Sequence, residues 1–211
     1  MSIDISTVLG QNITLVYDSL KLQDIDARIL KNLISDVRPT VVDNPDLIAV
    51  IYPPVQLVIQ LADKRIRITH QQHQNIGNLP LWEFAHQCHQ LVTESQLIAY
   101  GFNYDVMVEI TDQNAQEITR HLFISDPQTI DNLLEGHLEA FIPRLKFRRN
   151  GLLYDLFLEP LDEQQIKAHM NVHFEEKTLP TLAQLEASYR EEFDYFESLL
   201  LNKVFNERRD K

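Results

Sequence analysis

Hydrophobic and polar residues alternate along most of this chain, and the alternation gives way to helical spacing at a few places. Ile13 to Asp18, "ITLVYD", is the first alternating run and predicts a strand. Leu22, Ile25, Ile29, Leu33 and Val37 then recur at three-to-four spacing, which predicts a helix limited by Pro39. "TVVD" and "LIAVIY" are strands around the turn signal Asn44-Pro45-Asp46, and Pro53-Pro54 implies a bend or a sheet edge. "VQLVIQL" and "RIRIT" predict a hairpin around Ala62-Asp63-Lys64. A polar loop through Gly77 leads into a helix beginning at Leu81. The longest strand follows, "LIAYGFNYDVMVEI", with Ile98, Tyr100, Phe102, Tyr104, Val106, Val108 and Ile110 on one face.

The second half runs in a similar order. Ala115 to Leu138 is mainly helical and broken near Asp126-Pro127. "IPRLKFRR" and "LLYDLFLEP" flank Asn150-Gly151, a strong signal for a type I′ hairpin because both residues tolerate positive φ. In "QIKAHMNVHFEE", Ile166, Ala168, Met170, Val172 and Phe174 alternate with polar partners. A last helix starts at a capping box of Thr181 and Gln184. Its stripe is Leu182, Leu185, Tyr189, Phe193, Phe196, Leu200 and Val204, and Arg208 and Arg209 lie where the helix dipole favours cations.

The expected fold class is therefore α+β, with antiparallel sheets packed on long helices. Each half reads strand, helix, three or four strands, helix. That order resembles the TATA-binding-protein-like and helix-grip topology, in which antiparallel strands wrap a long helix; the resemblance is topological and brings no functional residues with it. The first β-α-βββ-α unit is expected over residues 1–96 and the second over 97–211, in one continuous globular body.

Composition changes the picture mainly by exclusion. With 44% hydrophobic and 24% charged residues, the 211-residue chain is that of a folded protein. The net charge of −12 opposes binding to nucleic acid as a whole-molecule effect. A single cysteine excludes a disulfide framework within the chain. The amino terminus lacks the basic segment and apolar run of a secretion signal, and no apolar run approaches the ~20 residues of a membrane span. The expectation is a cytoplasmic protein without a membrane partner.

Candidate chemistry is sparse. "LWEFAHQCHQLVTES" holds two histidines and the only cysteine. At 100° per residue Cys88 falls on the apolar face, with His86 about 160° and His89 about 100° away from it. The two histidines are boundary residues near Trp82, or half of a metal site that His70 and His73 of the preceding segment would complete. His169 and His173 lie ~13 Å apart on a strand, too far to share one zinc.

Helix, hairpin, strand and helix in the second half also match the core order of restriction-endonuclease-like enzymes. Asp155 with Glu175 and Lys177 supplies the residue types for Mg²⁺-assisted phosphodiester cleavage. The expected register sets Asp155 opposite Met170 and keeps the carboxylates roughly 16 Å apart. Other catalytic signatures, including a G-x-S-x-G elbow, a phosphate loop, a dinucleotide fingerprint and HExxH, do not occur.

Arg144, Lys146 and Arg148 share one strand face, and Arg65 and Arg67 another. On one sheet these would make a basic strip for RNA or an acidic protein, with Tyr154 and Phe157 nearby for stacking, although alternation sends those two aromatics to opposite faces. The last helix carries surplus apolar residues Tyr195, Leu199, Leu201 and Phe205, the mark of either a deeply gripped helix or a second contact in a homodimer or with a partner. Together these features point to a non-enzymatic, protein-binding regulatory or assembly protein that needs no cofactor, in a bacterial regulatory or defence setting. The competing expectation is a nucleic-acid-acting protein, a metal-dependent nuclease or an RNA binder using a basic sheet face.

Overall fold

The computed structural model describes residues 2–71, 79–111, 113–136 and 138–205. The strands are β1 (Ser2–Tyr17), β2 (Thr40–Asn44), β3 (Leu47–Tyr52), β4 (Leu57–Ala62), β5 (Arg65–His70), β6 (Leu97–Thr111), β7 (Arg144–Arg149), β8 (Leu152–Pro160) and β9 (Gln165–Phe174). The helices are α1 (Ala27–Leu30), α2 (Leu81–Gln90), α3 (Ala115–Phe123), α4 (Pro127–Leu134) and α5 (Leu182–Ser198), the last continued by a π-helical turn over Leu199–Val204. The nine described strands form one antiparallel sheet in the order β2-β3-β4-β5-β1-β6-β9-β8-β7, so the fold is α+β. No described helix is long and apolar enough to cross a membrane.

Local chemistry fixes the hairpins. Asn44 accepts from the Asp46 amide to close the β2–β3 turn. Asp63 and Lys64 take φ of 49° and 63° between β4 and β5, a primed turn built without glycine. Asn150 and Gly151, at 51° and 83°, make the β7–β8 turn in the manner their spacing predicts.

The sheet is centred on β1 and β6, which pair from Ser2 opposite Thr111 to Tyr17 opposite Leu97. Outward from this pair lie β5, β4, β3 and β2 on one side and β9, β8 and β7 on the other. Three register shifts interrupt the central pairing. The one at Val16/Tyr17 corrects the expected strand face: Leu97 turns inward opposite Tyr17, and Ile98 is left 42% exposed.

The buried side chains lie on one face of the sheet and under the helices. α2 buries Leu81, Trp82, Phe84, Ala85 and Cys88, and α5 buries Leu185, Tyr189, Phe193 and Phe196. The Tyr189 ring sits 5.9 Å from Trp82 and 5.2 Å from both Phe102 and Tyr104, locking α5 to α2 and to the middle of β6. The Tyr104 hydroxyl donates to the Tyr189 carbonyl at 2.7 Å, and the Tyr189 hydroxyl donates to Gln11 on β1. The buried phenols thereby keep their polar ends satisfied. Thr181 and Gln184 form the expected capping box.

Two helix expectations change. The stripe from Leu22 to Val37 does not make one helix: a 3₁₀ turn at Leu22–Asp24 ends at extended Ile25, and Asp26 starts α1 by accepting from the Arg28 amide. Asp36 then takes a φ of 63°, which no continuing helix allows. At the other end, the π turn changes the phase of the last helix. The Phe205 amide bonds to the Leu200 carbonyl five residues back, so both of those side chains face the core.

Candidate functional site

The face of the sheet opposite the helices carries the candidate site. Every described side chain larger than alanine on it is half-buried or exposed. Strand pairing arranges these side chains in rows that cross the whole sheet. In the central row Thr69, Asn12, Asn103, Asn171, Asp155 and Lys146 are successive register partners on β5, β1, β6, β9, β8 and β7. Their amides are hydrogen bonded to each other: Asn103 Nδ2 donates to Asn12 Oδ1 at 2.8 Å, and Asn171 Nδ2 donates to Asn103 Oδ1 at 2.7 Å. Thr14 donates to the same Asn12 oxygen at 3.0 Å. Each amide still has hydrogen-bonding capacity that the ladder does not use, directed from a half-solvated surface.

Acids beside this ladder are occupied by basic side chains. Asp105 Oδ1 lies 3.0 Å from His169 Nδ1 and 3.8 Å from Lys167 Nζ. Asp155 takes Arg144 through two nitrogens, at 2.9 Å from Nε and 2.6 Å from Nη2, with Lys146 at 3.7 Å. The hydrogen bond from Arg144 holds the Asp155 carboxyl below the usual carboxylate range.

The five candidate cations do share one face, since Arg65, Arg67, Arg144, Lys146 and Arg148 all pair in register with open-face residues. They form two groups instead of one strip, because β1, β6, β9 and β8 lie between β5 and β7. Arg144 and Lys146 are neutralised by Asp155, whereas Arg65, Arg67 and Arg148 make no ion pair among the described residues. Phe157 faces outward opposite His169, and Tyr154 is fully buried on the other side.

The nuclease residues are not brought together. Asp155 stands opposite Asn171, one residue from the expected Met170, and Glu175 lies four residues further, ~13 Å at strand rise. Asp155 is committed to Arg144, and Glu175 and Lys177 are exposed beyond the end of β9.

The described candidate histidines sit in different surroundings. Cys88 is fully buried, and burial pushes its thiol up to about 12. His89 stacks on Tyr17, and the Tyr17 hydroxyl shares a 2.9 Å hydrogen bond with His89 Nδ1. Burial, with His86 adding to it, pushes the His89 imidazole below its ordinary value. His86 Nε2 is buried without a hydrogen-bond partner among the described residues. His70 is buried on the helix-covered side of β5, in register with Gln11 and Leu57, and His73 lies outside the described residues. Among the described residues no group of three or more His, Cys, Asp or Glu is placed to hold a metal ion.

The surplus apolar residues of the last helix are used at home to differing degrees. Phe205 is 5% exposed in the core, Tyr195 and Leu199 pack half-buried against it, and Leu201 is half-buried. Tyr195 belongs to a cluster that sequence patterning does not single out. Glu192, 5% exposed on α5, accepts from the Tyr154 hydroxyl at 2.9 Å, and Arg149 lies 3.6 Å from it and over the Tyr195 ring. The only local signal is an acid one residue from the buried Phe193 in the helix stripe.

No protein-family model matches the chain, and no curated protein matches it.

Proposed function

We propose that this is a non-enzymatic binding protein of the cytoplasm that docks another protein on the open face of its sheet. One observation carries the reading: among the described residues, helices cover a single face of a nine-stranded sheet, and the other presents ordered rows of polar and apolar side chains to solvent. Among the described residues, Asp155 and His89, which could have served a catalytic or metal centre, are tied to Arg144 and Tyr17. The strand order, with the first and last strands of each half adjacent at the centre, supports two β-α-β-α units of the TATA-binding-protein-like or helix-grip kind. A regulatory or assembly role fits a surface of this kind.

The RNA-binding reading has one observation in its favour, the absence of ion-pair partners for Arg65 and Arg67 among the described residues of the open face. Against it, Phe157 is the one phenyl, phenol or indole ring that the described strands present there, so successive bases have no stacking platform. Affinity capture from the native cell tests the proposal. Wild type should retain a protein partner that Thr14→Trp, a bulky block on the open face of β1, fails to retain. Equal recovery by both proteins, or recovery of RNA alone, would remove the reading.

A further inference from the structure

We infer that the docked segment is an acidic, extended polypeptide that lies across the strands along the row Arg67–Thr14–Gly101–His173–Leu153–Arg148. The inference rests on the open face being a docking surface and adds the chemistry of its occupant. These six residues are successive register partners on β5, β1, β6, β9, β8 and β7, so they form one line across six of the nine strands, and Gln60, Ala49 and Val42 continue it over β4, β3 and β2. No carboxylate stands in that line. Cations bound its six-strand part: Arg67 with its neighbour Arg65 on β5, and Arg148 on β7, while the continuation beyond Arg67 is uncharged.

The line is also low at its centre. A Cβ on Gly101 would meet the Val172 carbonyl oxygen at 2.9 Å, so β6 carries no side chain at this point because β9 approaches so closely. A chain crossing here meets backbone at Gly101, flanked by the Thr14 hydroxyl and the His173 imidazole. The row on the Asn103 side supplies no competing acid, since Asp155 is taken by Arg144 and Lys146; on the other side Glu175, two residues past His173, is exposed at the end of β9. Asp105, a further row away, is taken by His169 and Lys167.

Spacing selects the occupant. Five strand steps separate Arg67 from Arg148, roughly 24 Å at ~4.8 Å per step, which about seven extended residues span. A segment with acids near both ends and small or polar residues between them matches cations at the ends and a neutral middle. A nucleic-acid strand charges every position and would find its middle phosphates unmatched. A second copy set face to face by a two-fold axis would bring the same cations toward each other.

The test is fluorescence anisotropy with three labelled probes: a ten-residue peptide with Glu at its second and ninth positions, about 24 Å apart when extended, its Gln counterpart, and a ten-nucleotide single-stranded RNA. The Glu peptide should bind more tightly than the other two, with affinity falling as salt rises. Arg67→Glu combined with Arg148→Glu should weaken it by about a hundredfold, roughly tenfold per reversed charge. Lys203→Glu and Lys31→Glu together make the same change in net charge away from the row and should stay within about twofold. Both cations of the row are exposed, and circular dichroism checks that the variants fold. Equal binding of the Gln peptide, tighter binding of RNA, or equal losses in the two charge variants would overturn the inference. So would retention of the cellular partner by Arg67→Glu/Arg148→Glu when Thr14→Trp loses it, an outcome that leaves the docking face standing with a different occupant.

Discussion

The Tyr154 hydroxyl donates to the Glu192 carboxylate across 2.9 Å, joining the middle of β8 to the inner side of α5. Desolvation raises the Glu192 carboxyl above its ordinary value, against the opposing pull of Tyr154 and Arg149. A raised acid favours the protonated folded state. Its contribution is fully present below the unfolded value near 4.5 and is lost as pH rises through the folded one. Glu192→Gln should therefore gain on wild type in urea unfolding as pH goes from 4 to 8. Tyr154→Phe should cost about 1.5–3 kcal/mol at pH 7 in wild type and about 1 kcal/mol in the Glu192→Gln background. Equal costs in both backgrounds would mean that the two side chains are not coupled.

His89 has the opposite sign. Its depressed imidazole favours the neutral folded state, so its contribution is present above the unfolded value near 6.5 and lost as pH falls through the folded one. Thermal melts from pH 7.5 to 5 should show wild type losing more stability than His89→Gln, which keeps a partner for Tyr17 without a titrating ring. Parallel curves would contradict this.

Cys88 should behave as an aliphatic residue. Fully buried and with its thiol pushed up to about 12, it is neither accessible nor ionised at pH 8. A thiol reagent added to native protein should react on the timescale of unfolding, and at once in denaturant. Rapid labelling of the native chain would place this side chain elsewhere.

Gly101→Ala should cost about 1–3 kcal/mol, because the new methyl group meets the backbone of β9 and not a side chain that can swing away. Gly151→Ala tests another constraint. It meets nothing within 4 Å, and its φ of 83° should cost it about 1–2 kcal/mol through backbone strain alone. A denaturant midpoint unchanged by either substitution would sink that account of the glycine concerned.

Much of the sheet is legible in the sequence because a half-covered strand writes its faces into alternate residues. In β9 alternation marks all five inward positions from Ile166 to Phe174, and Ala62-Asp63-Lys64 and Asn150-Gly151 mark the primed turns. Ile98 departs from its pattern because the bulge that exposes it belongs to pairing with Val16 and Tyr17, about eighty residues away. The Leu22–Val37 stripe misleads because apolar spacing carries no information about Asp26 taking a cap or Asp36 taking a positive φ. The open face is half legible. Alternation shows which residues point outward from each strand, but not which strands are neighbours. Asn12, Asn103 and Asn171 meet across separations of 91 and 68 residues, and no local pattern shows that they form a ladder.

The position of β1 bears on the birth of the molecule. β1, synthesised before the other eight described strands, ends up in the interior of the sheet, between β5 and β6, with its full length paired only to the latter. During translation residues 11–16 can pair with β5 once synthesis has passed residue 70, but the rest of β1 waits for β6, which ends at residue 111. At roughly 5–20 residues per second the nascent chain would hold a bare strand edge for several seconds at least. Such an exposed interval is one in which a ribosome-associated chaperone would protect yield, and slowing elongation before residue 97 should lower the recovery of folded protein.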